Sequence, residues 1–156
     1  MRGNQEGARQ QVVVPSEWNR VTEQIIGCAI EVHRVLGVGL LERLYEEALE
    51  HELNLCGLRC RRQVAVHTAY KQKALSPHVL DMVVEDLVVV ELKAIEKVAD
   101  IHLATLVSYL RISQFPLGLL VNFHAPTIKN GLYRRLNPSS PMLLASQPAL
   151  TAFPAQ

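Results

Sequence analysis

The stretch from His78 to Lys93, "HVLDMVVEDLVVVELK", constrains the fold more than any other part of the chain. Two short β-branched apolar runs flank Glu85 and Asp86, which suits two strands joined by a tight connection, most simply a hairpin. Three charges, Asp81, Glu91 and Lys93, lie inside or beside those runs. Burying an unpaired carboxylate costs several kcal/mol, so Asp81 and Glu91 must sit at the sheet's edge, pair with cations or bind a metal.

The flanking sequence supplies the rest of an α/β domain. From Val21 the residues Ile25, Cys28, Ala29, Val32, Val35 and Leu36 recur at three and four, and "GVG" at 37–39 ends that first helix. A second helix carries Leu41, Leu44, Tyr45, Ala48 and Leu55 and stops at Gly57, a natural left-handed cap. Val64, Val66 and Thr68 then alternate as a strand, and "KQKALSP" reads as a turn-rich connection before the hairpin. A third helix, "VADIHLATLVSYLRI", leads to "LGLLVNF", an unbroken apolar run typical of a strand covered on both faces, and "GLYRRL" reads as a last, more exposed strand. A helix linking an antiparallel hairpin to a buried strand predicts a right-handed crossover, hence a mixed central β-sheet flanked by helices. Residues 1–15 are expected to be a flexible segment and 16–136 a single domain. The Pro-rich, uncharged residues 137–156 are expected to form a mostly disordered tail, with Met142, Leu143 and Leu144 available to dock locally.

Register decides what the hairpin's charges can do. Glu91 and Lys93 are two apart on one strand and point to the same face. A two-residue turn at Glu85 and Asp86 sets Asp81 opposite Val90 and leaves Glu91 on the other face. A three-residue connection or a one-residue bulge sets Asp81 opposite Glu91, bringing two carboxylates within about 5 Å with an ammonium beside them. Such a pair suits an ordinary ion-pair network at a strand end or a hard divalent cation, Mg²⁺ or Mn²⁺, whose chemistry with a nearby lysine is phosphodiester hydrolysis.

Several separated motifs add to this reading. The D(x)9ExK array "DMVVEDLVVVELK" resembles the active-site motif of the PD-(D/E)XK nuclease superfamily, and "GLLERLY" at 39–45 is similar to the signature of its GxxExxY family. "AIEVHRVLGVGLLERLYEEAL", "VSYL" and "LGLLVNF…NGLYRRL" extend the resemblance, in order, over roughly Val21 to Leu136. The resemblance implies a restriction endonuclease-like core, Asp81 and Glu91 as metal ligands with the backbone carbonyl of Leu92 as a third, and Lys93 as the catalytic lysine. It also implies that Glu42 serves from the preceding helix as a ligand or water contact. Tyr45, on the same helix face by its spacing, either buttresses Glu42 or simply packs in the core, and His33, which matches the family's histidine, either bonds Glu42 or is an inert, partly buried histidine. The chain departs from the family pattern where relatives commonly carry Gln four residues before Tyr109: here Thr105 stands there. "YKQ" replaces a more usual YKG at 70–72, and His78 stands near the place of a basic residue before the aspartate.

Charge and cysteine content narrow the alternatives. A formal net charge of +1 announces no nucleic-acid binder by itself. Yet Arg59, Arg61, Arg62, Lys71 and Lys73 fall in an acid-free stretch, which with Tyr109 would serve as the substrate-binding surface; the plainer reading is solvated charges on a helix and a strand. Cys28, Cys56 and Cys60 form no CxxC pair and there is no HExxH, so neither a disulfide framework, a zinc site nor a thiol enzyme is supported. No apolar run approaches membrane length and no secretory leader is evident, so a cytoplasmic location is expected. Two functions follow: an Mg²⁺- or Mn²⁺-dependent nuclease acting on DNA or RNA, or an inactive module of the same fold that binds nucleic acid or a protein. A homodimer that covers sheet edges suits either.

Overall fold

The computed structural model describes residues 12–147. Helix α1 spans Ser16–Leu36 and helix α2 Glu42–Leu55. The α1 stripe Ile25, Cys28, Ala29 and Val32 is buried as its spacing predicts, but the helix starts at Ser16, ahead of Val21, and Val35 is exposed. In α2 the buried stripe is Tyr45, Leu49 and Leu53: of the expected residues Tyr45 is buried and Ala48 packs partly on the core, whereas Leu41 and Leu55 face solvent. This orientation places Glu46 at 6% exposure, where Arg62 neutralises it.

Seven strands follow: β1 Cys60–Val66, β2 Ala69–Tyr70, β3 Lys73–Ala74, β4 His78–Val84, β5 Val88–Lys93, β6 Leu117–Asn122 and β7 Leu132–Leu136. Five of them make a sheet in the order β1-β4-β5-β6-β7. Only the β5–β6 pair is parallel, and the chain crosses between them through helix α3, Asp100–Ser113. The sheet is mixed, as expected. The connection read as turn-rich is a small hairpin of its own, β2 with β3, turned at Lys71 and Gln72, both at positive φ.

Helices cover both faces of the sheet. On one, α1 and α2 pack on Met82, Val84, Val88, Val90, Leu92, Leu117, Leu119 and Val121. On the other, α3 lays Leu106 and Leu110 over Leu80, Val83, Val89 and Leu120. Residues β6 sends to either face are buried, which explains its unbroken apolar sequence.

One local break interrupts the two-residue alternation. In β4, Met82 and Leu80 are two apart yet join opposite cores, and in β1 Cys60 packs on the α1–α2 side while Val64 and Val66 pack on the α3 side. Both strands change face at the same rung, Gln63 beside Asp81, and Gln63 takes φ 51°, a conformation few non-glycine residues adopt within a strand. Gln63 and Arg62 both bond Glu46 of α2, which holds the distortion.

Residues 137–147 belong to the stretch expected to form a mostly disordered tail with local docking, and they are docked on the domain. Asn137 donates to the carbonyls of Leu110 and Phe115, buried Ser140 donates to Gln114, and a short helix α4, Pro141–Ala145, buries Leu143. Met142 and Leu144 stay exposed. Gln147 exchanges two hydrogen bonds with the backbone of Val13, which ties down a residue of the N-terminal segment expected to be loose. The remainder of both terminal segments, 1–11 and 148–156, lies outside the described residues. No described helix is long and apolar enough to cross a membrane.

Candidate metal and nucleic-acid site

The hairpin turn has the register that brings the two carboxylates together. Val84 pairs with Val88, leaving Glu85, Asp86 and Leu87 between them, and Met82 pairs with Val90. Glu85 and Asp86 both take positive φ, and the Leu87 N–H closes the turn onto the Val84 carbonyl at 3.0 Å. Leu87 is the extra residue, 6% exposed in the core. It shifts the register by one and sets Asp81 level with Glu91.

Beyond Met82 and Val90 the regular ladder between β4 and β5 stops, and side chains take over. The Leu92 N–H donates to Asp81 Oδ2 at 2.9 Å, and the Asp81 N–H points at Glu91 Oε1 at 3.4 Å. Each carboxylate thus receives a backbone donor that the interrupted ladder would leave unpaired. Glu91 is 6% exposed. Burial, and then the neighbouring Asp81 charge, push its carboxyl up to about 8, against the opposing pull of Lys93.

Lys93 and Glu42 complete the group. Lys93 Nζ donates to the Leu92 carbonyl at 3.0 Å and stands 3.9 Å from Glu42 Oε1. Glu42 is the first residue of α2, and its carboxyl is raised by partial burial, lowered by Lys93 and raised again by Asp81. Tyr45 fixes the approach to that helix: its hydroxyl donates to the Gly37 carbonyl at 2.7 Å and accepts the Leu40 N–H at 3.2 Å, while its fully buried ring stacks on Phe123 at 4.6 Å. Gly37 and Gly39 in that loop take positive φ, which glycine permits.

Other expected residues are placed differently. The His33 ring bonds the Ala125 carbonyl at 3.0 Å and not Glu42. Tyr109 of α3 lies against His78 of β4, ring centroids 3.8 Å apart, and its hydroxyl is raised by burial and then by the Glu91 and Asp81 carboxylates, so Tyr109 borders the site from α3. The Thr105 hydroxyl bonds the Ile101 carbonyl of its own helix. The basic stretch does not form one free surface: Arg59 pairs with Glu85, Arg61 with Asp86, and Arg62 with Glu46 and Glu50. Among the described residues Lys71 and Lys73 alone of the five stand outside such pairs, on the exposed β2–β3 hairpin.

One residue was missed. Asn122, 3% exposed and level with Lys93 on β6, bonds both the N–H and the carbonyl of Ile95 and fixes the chain leaving Lys93. Its signal was a polar residue closing the apolar run "LGLLV".

The donor set fits a hard divalent cation: two carboxylates, one raised by burial and then by its neighbour's charge, beside a carbonyl. Among the described residues no group of three or more His, Cys, Asp or Glu side chains converges on one point, so two carboxylates with backbone oxygen are what the protein offers. A cavity of about 370 Å³ bordered by Glu96, Lys97, Asn122, His124, Asn130 and Tyr133 adjoins the chain leaving Lys93. The family model for the PD-(D/E)XK nuclease superfamily matches residues 19–136, which takes in every residue of this group. No curated protein and no solved structure matches the chain.

Proposed function

The chain belongs to the PD-(D/E)XK nuclease superfamily, and from that premise we propose that it is an Mg²⁺- or Mn²⁺-dependent nuclease of the GxxExxY type, hydrolysing phosphodiester bonds of DNA or RNA in the cytoplasm. The observation that carries this reading is the meeting of Asp81 and Glu91 across the end of the hairpin, with Lys93 beside them.

Asp81, Glu91 and the Leu92 carbonyl would hold the cation, with Glu42 reaching it through a water. The ion would supply charge stabilisation for the phosphate and a more acidic water. Lys93 orients the attacking water and offsets charge that grows on the phosphate. Glu42, partly buried and raised, contacts the same water, and Asn122 keeps the chain after Lys93 from swinging away. Lys71, Lys73 and Tyr109 are the substrate contacts this reading retains. Arg59, Arg61 and Arg62 serve chiefly to hold the carboxylates of α2 and of the hairpin turn.

Purified protein should cut at least one of single- or double-stranded DNA or RNA when Mg²⁺ or Mn²⁺ is added, and Lys93→Ala should not. Absence of cleavage on all four substrates would remove the enzyme reading. Thr105 favours the second reading, an inactive module that binds nucleic acid or a protein, because its hydroxyl is spent on its own helix where a long amide would reach outward. Calorimetric titration with Mn²⁺ separates the two: binding at millimolar or tighter that vanishes in Asp81→Ala argues against an inactive site. The sheet's edges are β1 and β7, and pairing of either with a second copy gives the proposed homodimer, read by sedimentation velocity.

A further inference from the structure

Two thiols outside the candidate site meet between the helices. Cys28 belongs to the buried stripe of α1 and is 3% exposed, whereas Cys56 follows the last residue of α2 and is exposed. Their sulfurs are 3.4 Å apart, with the Cys28 S–H directed at Cys56 Sγ. The antiparallel packing of the α1 and α2 stripes produces the encounter, since Cys28 lies one turn from Ile25 and Val32 on the face that meets Leu49 and Leu53. The third cysteine, Cys60, starts β1 and packs partly buried against the same core.

We propose that Cys28 and Cys56 form an oxidisable dithiol site, which a small-molecule disulfide of the glutathione class converts into an intramolecular disulfide joining α1 to the end of α2. A disulfide needs its sulfurs at about 2.05 Å, so the pair must close by roughly 1.4 Å. Cys56 has the freedom to do so. It caps a helix terminus, its N–H is bonded to the Glu52 carbonyl, and Gly57 at φ 76° follows, so the adjustment falls on a chain end and not on the core.

The accessible thiol acts first. Cys56 loses its proton and its thiolate attacks one sulfur of the oxidant, displacing the first small thiolate and leaving a mixed disulfide. The Cys28 thiol, already in contact, then gives up its proton as its sulfur attacks Cys56 Sγ, and the second small thiolate is displaced and takes up that proton. Both protein thiols are oxidised, and the small disulfide is reduced to two thiols. Cys28 is buried and Cys60 half-buried, so the exposed Cys56 meets the oxidant first; burial also pushes the Cys28 thiol up to about 12, with the bond to Cys56 adding to the shift, and raises Cys60 to about 11.

The whole chain is incubated with oxidised glutathione, alkylated under denaturing conditions and mapped without reduction. The expected result is the joint loss of the Cys28 and Cys56 thiols, a linked peptide pair, Cys60 still alkylated, and a melting temperature raised by roughly 5–10 °C and restored by dithiothreitol. Cys60→Ala should behave as wild type. Cys56→Ser, a substitution at an exposed position that leaves the core intact, should abolish both the link and the shift. No reaction, a mixed disulfide that persists on Cys56 with Cys28 alkylatable, or a Cys56–Cys60 link would each overturn the proposal. None of these readouts depends on whether the chain cuts nucleic acid.

Discussion

Lys93 turns its ammonium back onto the carbonyl of its neighbour Leu92, at 3.0 Å, with Glu42 Oε1 3.9 Å away. The lysine therefore sits among the oxygens that the proposed cation would use. Removing it takes away a competitor for those oxygens but also the group that orients water. Lys93→Ala should keep Mn²⁺ affinity, or tighten it several-fold, while cleavage falls by about 10²–10⁴. Calorimetry and a cleavage assay on the same preparation check this, and a variant that loses the metal along with activity would show that Lys93 builds the site instead of working in it.

Glu91 gives the site a signature in stability. Its carboxyl is raised in the folded protein from the ordinary 4.5 to about 8, first by burial and then by Asp81. A raised carboxyl favours the protonated folded state, so its stabilising contribution is complete below about pH 4.5 and is lost as pH rises toward 8. In chelator, the melting temperature should fall across that window, and Glu91→Gln should flatten the fall. Saturating Mg²⁺ should flatten it too, because the cation replaces the proton. A wild-type profile that rises with pH over this range would contradict the burial of an uncompensated carboxylate pair.

The hairpin and the buried β6 strand were legible because their composition is a local property: valines and isosteric apolar residues in short runs leave few alternatives. Register was legible only as a choice. Glu85 and Asp86 read as a two-residue turn, and what adds the third residue is Leu87, drawn into the core by contacts far away in sequence. The change of face at Gln63 and Asp81 is likewise tertiary, held by Glu46 of α2. The same cause undid the basic surface: an acid-free stretch of sequence found its acids at Glu46, Glu50, Glu85 and Asp86 once folded. Asp81 and Glu91, named by the family motifs, meet at the end of the hairpin with Lys93 and Glu42 beside them, and of the two readings of His33 the bond to Glu42 is absent and the ring bonds Ala125 instead.

Tyr45 should matter through its hydroxyl as much as through its ring. Tyr45→Phe keeps the stack on Phe123 and strands the Gly37 carbonyl and the Leu40 N–H. The expected cost is about 1–2 kcal/mol, a fall in melting temperature of roughly 2–8 °C. Because that loop leads directly into Glu42, cleavage should drop more than stability alone explains, with the deficit present at temperatures where the variant is fully folded. Equal activity per folded molecule would mean that the loop does not position Glu42.

The five basic residues should divide by their partners. Arg62 neutralises Glu46, which is 6% exposed, and itself retains about a quarter of its side-chain surface. Arg62→Ala therefore leaves a buried carboxylate without its cation, at roughly 2–4 kcal/mol, somewhat less than a fully enclosed pair because solvent still reaches the gap. Its affinity for nucleic acid, measured on the folded fraction, should hardly change. Lys71 and Lys73 lie on an exposed hairpin and have no carboxylate partner among the described residues, so replacing both with Ala should leave the melting temperature unmoved. Each lysine that contacts a phosphate displaces about one counterion, and the double variant should flatten the slope of log affinity against log salt by about two. Binding measured with Ca²⁺ or chelator in place of Mg²⁺ keeps cleavage out of the readout. If Arg62→Ala instead flattens the salt slope at unchanged stability, the arginine belongs to the substrate surface and its pairing with Glu46 gives way when nucleic acid arrives.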